Sequence, residues 1–320
     1  VYNRYGRRDN KYKARIKILV RALTAEGFKT QVDEEWAAID QEQAAAPLSE
    51  LRRLSAFFAP PAFVKFDDAD ALLGKQRLEN PAFNRWMKHN VSPHRVKGYA
   101  AVTLSTKTVG TPPGDVSAEQ MDAVAAWASA FGFDEIRISH EQNFVLPHIP
   151  QHQLYDLWQQ AQSIGLGHFN AGLISDMICC PGGDYCSLAN AKSLPVAEAI
   201  QRRFADYDFQ HDLGELDLNI SGCMNACGHH HVGHIGILGV DKKGQEFYQI
   251  SLGGHAGHSG EGPQLGQIIG PSVPRAGVCD VIEKVLLIFL DLRFEGETFL
   301  SCFNRIGIQP FKDSIYAKAA

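Results

Sequence analysis

Two cysteine-bearing turns, Cys180-Pro-Gly-Gly-Asp-Tyr-Cys186 and Cys223-Met-Asn-Ala-Cys227, hold the residues best suited to chemistry in this sequence. Four thiolates brought from two turns to one point hold either zinc or an iron-sulfur cluster. Structural zinc pairs usually space their ligands about two to four residues apart, and the five-residue gap between Cys180 and Cys186 fits that poorly. Gly182, Gly183, Ala226 and Gly228 are small enough for the backbone to close on a bulky inorganic core and aim N–H groups at its sulfurs. Spacing alone therefore favours a cluster, with zinc as the alternative.

The stretches Ile178-Cys-Cys-Pro-Gly-Gly-Asp-Tyr-Cys-Ser-Leu-Ala189 and Asn219-Ile-Ser-Gly-Cys-Met-Asn-Ala-Cys-Gly-His-His-His-Val-Gly-His-Ile-Gly236 resemble the paired signature of the sirohaem-dependent nitrite and sulfite reductases. The resemblance runs from Asn3-Arg-Tyr-Gly-Arg-Arg8 to Arg305-Ile-Gly-Ile-Gln-Pro-Phe311 and so covers essentially the whole chain. It implies a 4Fe-4S cluster held by Cys180, Cys186, Cys223 and Cys227, with the Cys227 thiolate also bound to the sirohaem iron. Cys179 stands one residue too early for the family spacing and reads as a small buried hydrophobe beside the cluster. Family members are longer and have two similar halves. This chain resembles the second and opens at Val1 without Met, so a C-terminal fragment is expected, with the missing first half as its partner.

Sirohaem carries many carboxylates and needs cationic and amide partners. The resemblance assigns this role to residues among Arg7, Arg8, Asn10, Lys11, Lys13 and Arg15 in the basic opening segment, and to Asn225 and His229 beside the second cysteine pair. Judged alone, a basic run is usually a solvated face. His229-His-His231, His234, His255 and His258 make a Cys/His metal site conceivable. However, side chains alternate faces in a strand, so only His229 and His231 would share a side. The turn Arg137-Ile-Ser-His-Glu-Gln-Asn143 reads as hairpin chemistry.

The implied activity is the six-electron reduction of sulfite to sulfide, or of nitrite to ammonia, at the sirohaem iron. Electrons would come from a ferredoxin or a flavoprotein subunit, and the substrate-binding cations would lie mainly in the first half. The alternative is a non-catalytic zinc- or cluster-stabilised scaffold or electron carrier. A dissimilatory relative would add a ferredoxin domain with closely spaced cysteines, and no such spacing occurs.

A net charge of −5 gives no basic surplus for nucleic acid. The strongest apolar run, Val285-Leu-Leu-Ile-Phe-Leu290, falls far short of the roughly 20 residues that span a bilayer. Seven cysteines, four of them in ligand-like turns, point to a reducing compartment, by default the cytoplasm, rather than to a disulfide framework.

The expected fold class is α+β, in three parts. Residues 1–92 form a helical basic segment of a sirohaem-binding domain, with helices to Gly27 and over 29–58 that place Val32, Trp36 and Ile39 on one face, and an irregular connector from 63. Residues 93–168 form a ferredoxin-like half-domain of split βαβ type: strand 98–105, a helix begun by Ser117, strands 135–139 and 143–148, and helix 151–164. This half-domain is expected to present an apolar surface for its missing counterpart. Residues 169–320 form a mixed α/β cluster- and sirohaem-binding domain with helix 187–204, strand 216–221, a hairpin across Asp241–Gly244, and helices over 271–292 and 296–305. Cys279 and Cys302 read as packing residues.

Overall fold

The computed structural model describes residues 1–45, 47–66, 69–257 and 262–316. Contacts divide it into Val1–Ala62 and Phe63–Ala320. The first unit holds α1 (Tyr2–Tyr5), α2 (Ile16–Ala38), α3 (Gln41–Ala44) and α4 (Leu48–Phe57). The first long helix does not stop at Gly27 as expected. It runs on to Ala38 with a kink at Thr24 (φ 65°), whose hydroxyl accepts the Gly27 N–H at 3.2 Å. Val32, Trp36 and Ile39, expected on one face, are all exposed.

In the second unit, residues 70–90 are helical and belong to the half-domain core. Helices α5 (Asp70–Glu79) and α6 (Pro81–Asn90) contribute Leu73, Phe83 and Trp86 to it. Asn80-Pro81 starts a helix here: Asn80 caps α6 by accepting the Phe83 N–H, and Pro81 occupies its first turn, where no N–H is needed. Then follow β1 (Val91–Pro93), β2 (Tyr99–Leu104), α7 (Ala118–Phe131), β3 (Arg137–Ile138), β4 (Phe144–Pro150) and α8 (Leu154–Ser163). The antiparallel sheet has the order β1-β2-β4-β3, with Val102 opposite Leu146. Ser117 and Gln120 form the capping box of α7. Ile138, on the edge strand, is 67% exposed.

The remainder comprises β5 (Ile178–Cys179), α9 (Gly182–Tyr185), α10 (Leu194–Arg203), α11 (Tyr207–Leu213), β6 (Leu218–Ser221), β7 (Ile235–Lys242), β8 (Gln245–Leu252), β9 (Gln267–Ile268), β10 (Val273–Pro274), α12 (Val278–Leu292), α13 (Phe299–Ile306) and α14 (Gln309–Tyr316). The sheet order is β10-β8-β7-β6-β5, with β9 also on β8 and β5, β6 and β7 parallel. Lys243 and Gly244 turn the hairpin with φ of 57° and 81°, the left-handed pair a two-residue connection requires. Ile220, Ile235, Ile237 and Leu252 bury one sheet face, with Val285, Phe289 and Phe299 in the same core, and Cys279 and Cys302 are buried packing residues. The helix expected from Ser187 begins only at Leu194, because Asn190 and Ala191 donate their backbone N–H groups to the Gly222 carbonyl.

Candidate cluster-binding site

Strands β5 and β6 are parallel neighbours, so the two cysteine turns leave the same end of the sheet. Carboxyl ends of parallel strands are where open α/β sheets place ligands. Cys180 donates its N–H to Ile220 O at 3.1 Å, and Gly222 donates its N–H to Cys180 Sγ at 3.1 Å. Ser193 Oγ, at the start of α10, lies 3.4 Å from the same sulfur. A helix start and an N–H donor both place partial positive charge beside this sulfur.

Backbone crowding fixes the small residues. A Cβ on Gly222 would lie 2.6 Å from Ala191 O and 2.9 Å from Gly182 Cα, and one on Gly182, itself at φ +58°, would lie 2.3 Å from Ser193 N. Only glycine allows this approach of the two turns. The second turn closes with Ala226 and His229 in left-handed conformations and with the Gly228 N–H donated to Ser221 Oγ.

Cys223 is buried, Cys180 and Cys186 are half-buried, and Cys227 is exposed. Cys179 is buried and donates its thiol to the Cys180 carbonyl at 3.3 Å. Burial, then the neighbouring Cys180, pushes that thiol up and keeps it protonated. The structure thus brings the turns together but does not draw the sulfurs into a single-ion site: among the described residues no three His, Cys, Asp or Glu side chains are grouped to hold one metal ion. Four thiolates on one zinc would stand about 3.8 Å apart.

The histidine run is not a strand. His230–Val232 forms a 3-10 turn, so the alternation argument for His229 and His231 does not apply. His230 and His231 rings lie 3.9 Å apart, Asp217 donates its N–H to His234 Nδ1, and Gly257 donates its N–H to His255 Nδ1. His258 lies outside the described residues. Asn225 sits on the second turn between Cys223 and Cys227. Arg7, Arg8, Asn10, Lys11, Lys13 and Arg15 of the opening segment lie in the Val1–Ala62 unit and make local contacts there. Arg7 pairs with Asp9, Arg8 and Lys11 lie over the Tyr2 and Tyr12 rings, Asn10 Oδ1 accepts the Tyr12 N–H, its carbonyl accepts the Lys13 N–H, and Arg15 donates to the Ala14 carbonyl.

Beside the turns, a cleft of about 570 Å³ runs between the 139–143 turn of the half-domain and residues 171–178, with Asn219 and His229 on its wall. Asp176 on its wall and that residue's buried partner Lys107 were not legible as a pair in the sequence. Lys107 has a fully buried side chain 3.5 Å from the buried Asp176 carboxylate, and also donates to the Glu141 carbonyl at 2.5 Å and to Asn143 Oδ1 at 2.9 Å. Asp176 accepts from Asn143 Nδ2 and from the Gly172 N–H. Burial pushes the Lys107 ammonium down and the Asp176 carboxyl up, while their mutual attraction opposes both shifts. The pair ties the half-domain turn to the loop that leads into Cys180. A lone lysine after a strand carries no sequence signal, since most are solvated.

Residues 100–164 match the "Nitrite/Sulfite reductase ferredoxin-like half domain", and residues 171–319 the "Nitrite and sulphite reductase 4Fe-4S domain". A protein named sulfite reductase [ferredoxin] 2 from Mycolicibacterium paratuberculosis is 29% identical over 93% of this chain and 48% of its own length. A chloroplastic ferredoxin–nitrite reductase from Betula pendula is 26% identical over 89% of this chain and 43% of its own. The solved structure of the Mycobacterium tuberculosis NirA protein shares the fold, with a TM-score of 0.61 and 24% identity, covering 96% of this chain and 50% of that one. The chain spans about half the length of the curated relatives it matches. With more than half of its length covered by these two matches, the chain belongs to the nitrite and sulfite reductase family.

Proposed function

We propose that this chain is the cluster-carrying half of a reductase that converts sulfite to sulfide, or nitrite to ammonia, with Cys180, Cys186, Cys223 and Cys227 as the ligands of a 4Fe-4S cluster. The observation that carries this reading is the pair of cysteine turns leaving adjacent parallel strands and pressed together through Gly182 and Gly222. The fit is good at the level of donors: four sulfurs on two apposed turns, one already accepting a backbone N–H, with exposure rising from Cys223 to Cys227. Cys227, the exposed member of the four, would also hold the sirohaem iron, and Asn225 and His229 flank it in the sequence. When bound, the two groups supply single electrons and a substrate-binding iron. The chain's own part is to bury Cys223, hold Cys180 against Gly222, and keep Cys179 protonated and out of the ligand set.

Arg7, Arg8, Asn10, Lys11, Lys13 and Arg15 are proposed partners of the sirohaem carboxylates. Sulfite is the favoured substrate and a ferredoxin the favoured donor, because relatives at 29% identity carry the name sulfite reductase [ferredoxin]. The substrate-binding cations are assigned mainly to the rest of the enzyme. Seven cysteines, none of them in a disulfide among the described residues, suit a reducing compartment such as the cytoplasm. The described residues contain no helix long and apolar enough to cross a membrane.

The test is sulfide and ammonia production by the full-length enzyme, purified without oxygen and given a reduced viologen dye with sulfite or nitrite. A higher specificity constant for one substrate names it. Absence of both products, from protein that holds no sirohaem, would return the cysteines to a structural or electron-carrier role.

A further inference from the structure

The turn between β3 and β4 lays a side chain on the strand that leads into the first cysteine turn. Strand β5 is the last of its sheet, with β6 on one side only. Successive residues of a strand aim their N–H and C=O groups to opposite sides. Cys180 donates its N–H to Ile220 O at 3.1 Å and so faces β6, which turns the Cys179 N–H and C=O to the open edge. Buried edge groups need partners, and among the described residues no second strand supplies them. The Gln142 side-chain amide does: its Oε1 accepts the Cys179 N–H at 3.1 Å and its Nε2 donates to the Cys179 carbonyl at 3.2 Å. A primary amide offers the same donor and acceptor as a peptide unit, so Gln142 stands where a further strand would.

Gln142 is itself held in place. It lies at φ 64°, a left-handed conformation that glycine and asparagine adopt more readily, and its N–H reaches Ser139 O at 3.0 Å. Its carbonyl accepts from Thr106 Oγ1 at 2.6 Å and from the buried Lys107 ammonium at 3.4 Å. A Cβ on Gly114 would stand 3.1 Å from Gln142 Cβ and 3.3 Å from its Nε2, so the loop after β2 lies along the side chain and leaves it little room to turn away. Asparagine would serve the turn as well. Only the longer amide reaches Cys179.

We propose that Gln142 is a positioning residue for the iron-sulfur cluster, fixing from the half-domain the peptide unit that leads into Cys180. This rests on Cys180 being a cluster ligand. The Cys179–Cys180 peptide is gripped on both sides, its carbonyl by Gln142 Nε2 and its N–H by Ile220 O. Because the unit is planar, its orientation sets the direction in which Cys180 leaves the strand, and with it the 3.1 Å bond from the Gly222 N–H to Cys180 Sγ. Hydrogen bonds to cluster sulfurs stabilise the added electron and raise the reduction potential. The half-domain thereby acts on the cluster through one side chain.

The experiment compares the full-length holoenzyme, purified without oxygen, with Gln142→Met and Gln142→Asn. The first substitution removes both hydrogen bonds at nearly the same length. The second keeps an amide and suits the left-handed turn but is one carbon too short. Amide hydrogen exchange is read in the peptic peptide that contains Cys179, and the cluster potential by redox titration followed with electron paramagnetic resonance. In both variants the Cys179 amide exchanges roughly tenfold or more faster and the potential moves to more negative values, while exchange in peptides from α12 stays as in the wild type. Loss of iron from a variant whose α12 exchange is unchanged is the same result in a stronger form. A side chain that served only the turn would be replaced by asparagine without effect. An iron-containing wild type whose potential is matched by either variant overturns this proposal alone, and an iron-free wild type overturns it together with the cluster assignment.

Discussion

Removing the Lys107 ammonium should be among the most damaging single changes in the half-domain. Its side chain is fully buried and that of Asp176 is 5% exposed, so Lys107→Met leaves a carboxylate in the interior with no cation. Breaking a buried pair on one side costs about 3–5 kcal/mol. For a domain of this size that corresponds to a fall in Tm of about 6–20 °C, read by near-ultraviolet circular dichroism during heating. The remaining carboxyl would have to stay protonated to remain buried, and its pKa is already raised by burial. A raised carboxyl pKa in the folded state means stability present at low pH and lost as pH rises through that pKa. Lys107→Met should therefore lose more stability at pH 8 than at pH 5, and Lys107→Met with Asp176→Asn should cost less than the two single changes added together. A shift below about 1 kcal/mol, or strict additivity in the double variant, would refute the claim that this pair is dry and coupled.

The cysteine turns give two further tests. Gly222→Ala would place a methyl 2.6 Å from Ala191 O, so the turns must separate; a loss of roughly 1–3 kcal/mol with reduced iron content is expected, checked by unfolding and metal analysis. Cys179→Ser should keep its cluster, because the hydroxyl can still donate to the Cys180 carbonyl, whereas Cys180→Ser should lose it; the comparison is read from visible absorption. His89 predicts a pH dependence. Its folded pKa of about 4 lies below the ordinary 6.5, so the unfolded chain binds the extra proton, and stability falls as pH drops from 6.5 to 4. Allowing for its partial exposure, the loss is about 1–2 kcal/mol, and His89→Gln should flatten the curve.

The elements with the clearest local chemistry were legible in advance. Ser117 with Gln120 announces α7, the turn at Lys243-Gly244 announces the β7–β8 hairpin, and the two cysteine turns mark the site. Where a tertiary bond outranks local pattern, the reading fails. Residues 187–193 have helical periodicity, yet they bond across to Gly222 and stay irregular. Asn80-Pro81 reads equally well as a breaker or as a cap with Pro in the first turn, and only the packing of Phe83 and Trp86 decides. Thr24 breaks α2 three residues before the glycine that periodicity singles out. Lys107, Asp176, His89 and His211 come from four separate segments, so no spacing rule could join them. Their pairing exists only once the half-domain and the cluster domain share a wall.

The most direct test of the central claim is iron and acid-labile sulfide analysis, with electron paramagnetic resonance, of the full-length enzyme purified without oxygen, as wild type and as Cys227→Ser. The wild type should hold iron and sulfide in the proportions of a 4Fe-4S cluster plus sirohaem, with the two magnetically coupled. Cys227→Ser should lose that coupling or both groups. Zinc in place of iron in the wild type, or an unchanged coupled spectrum in the variant, would contradict the assignment.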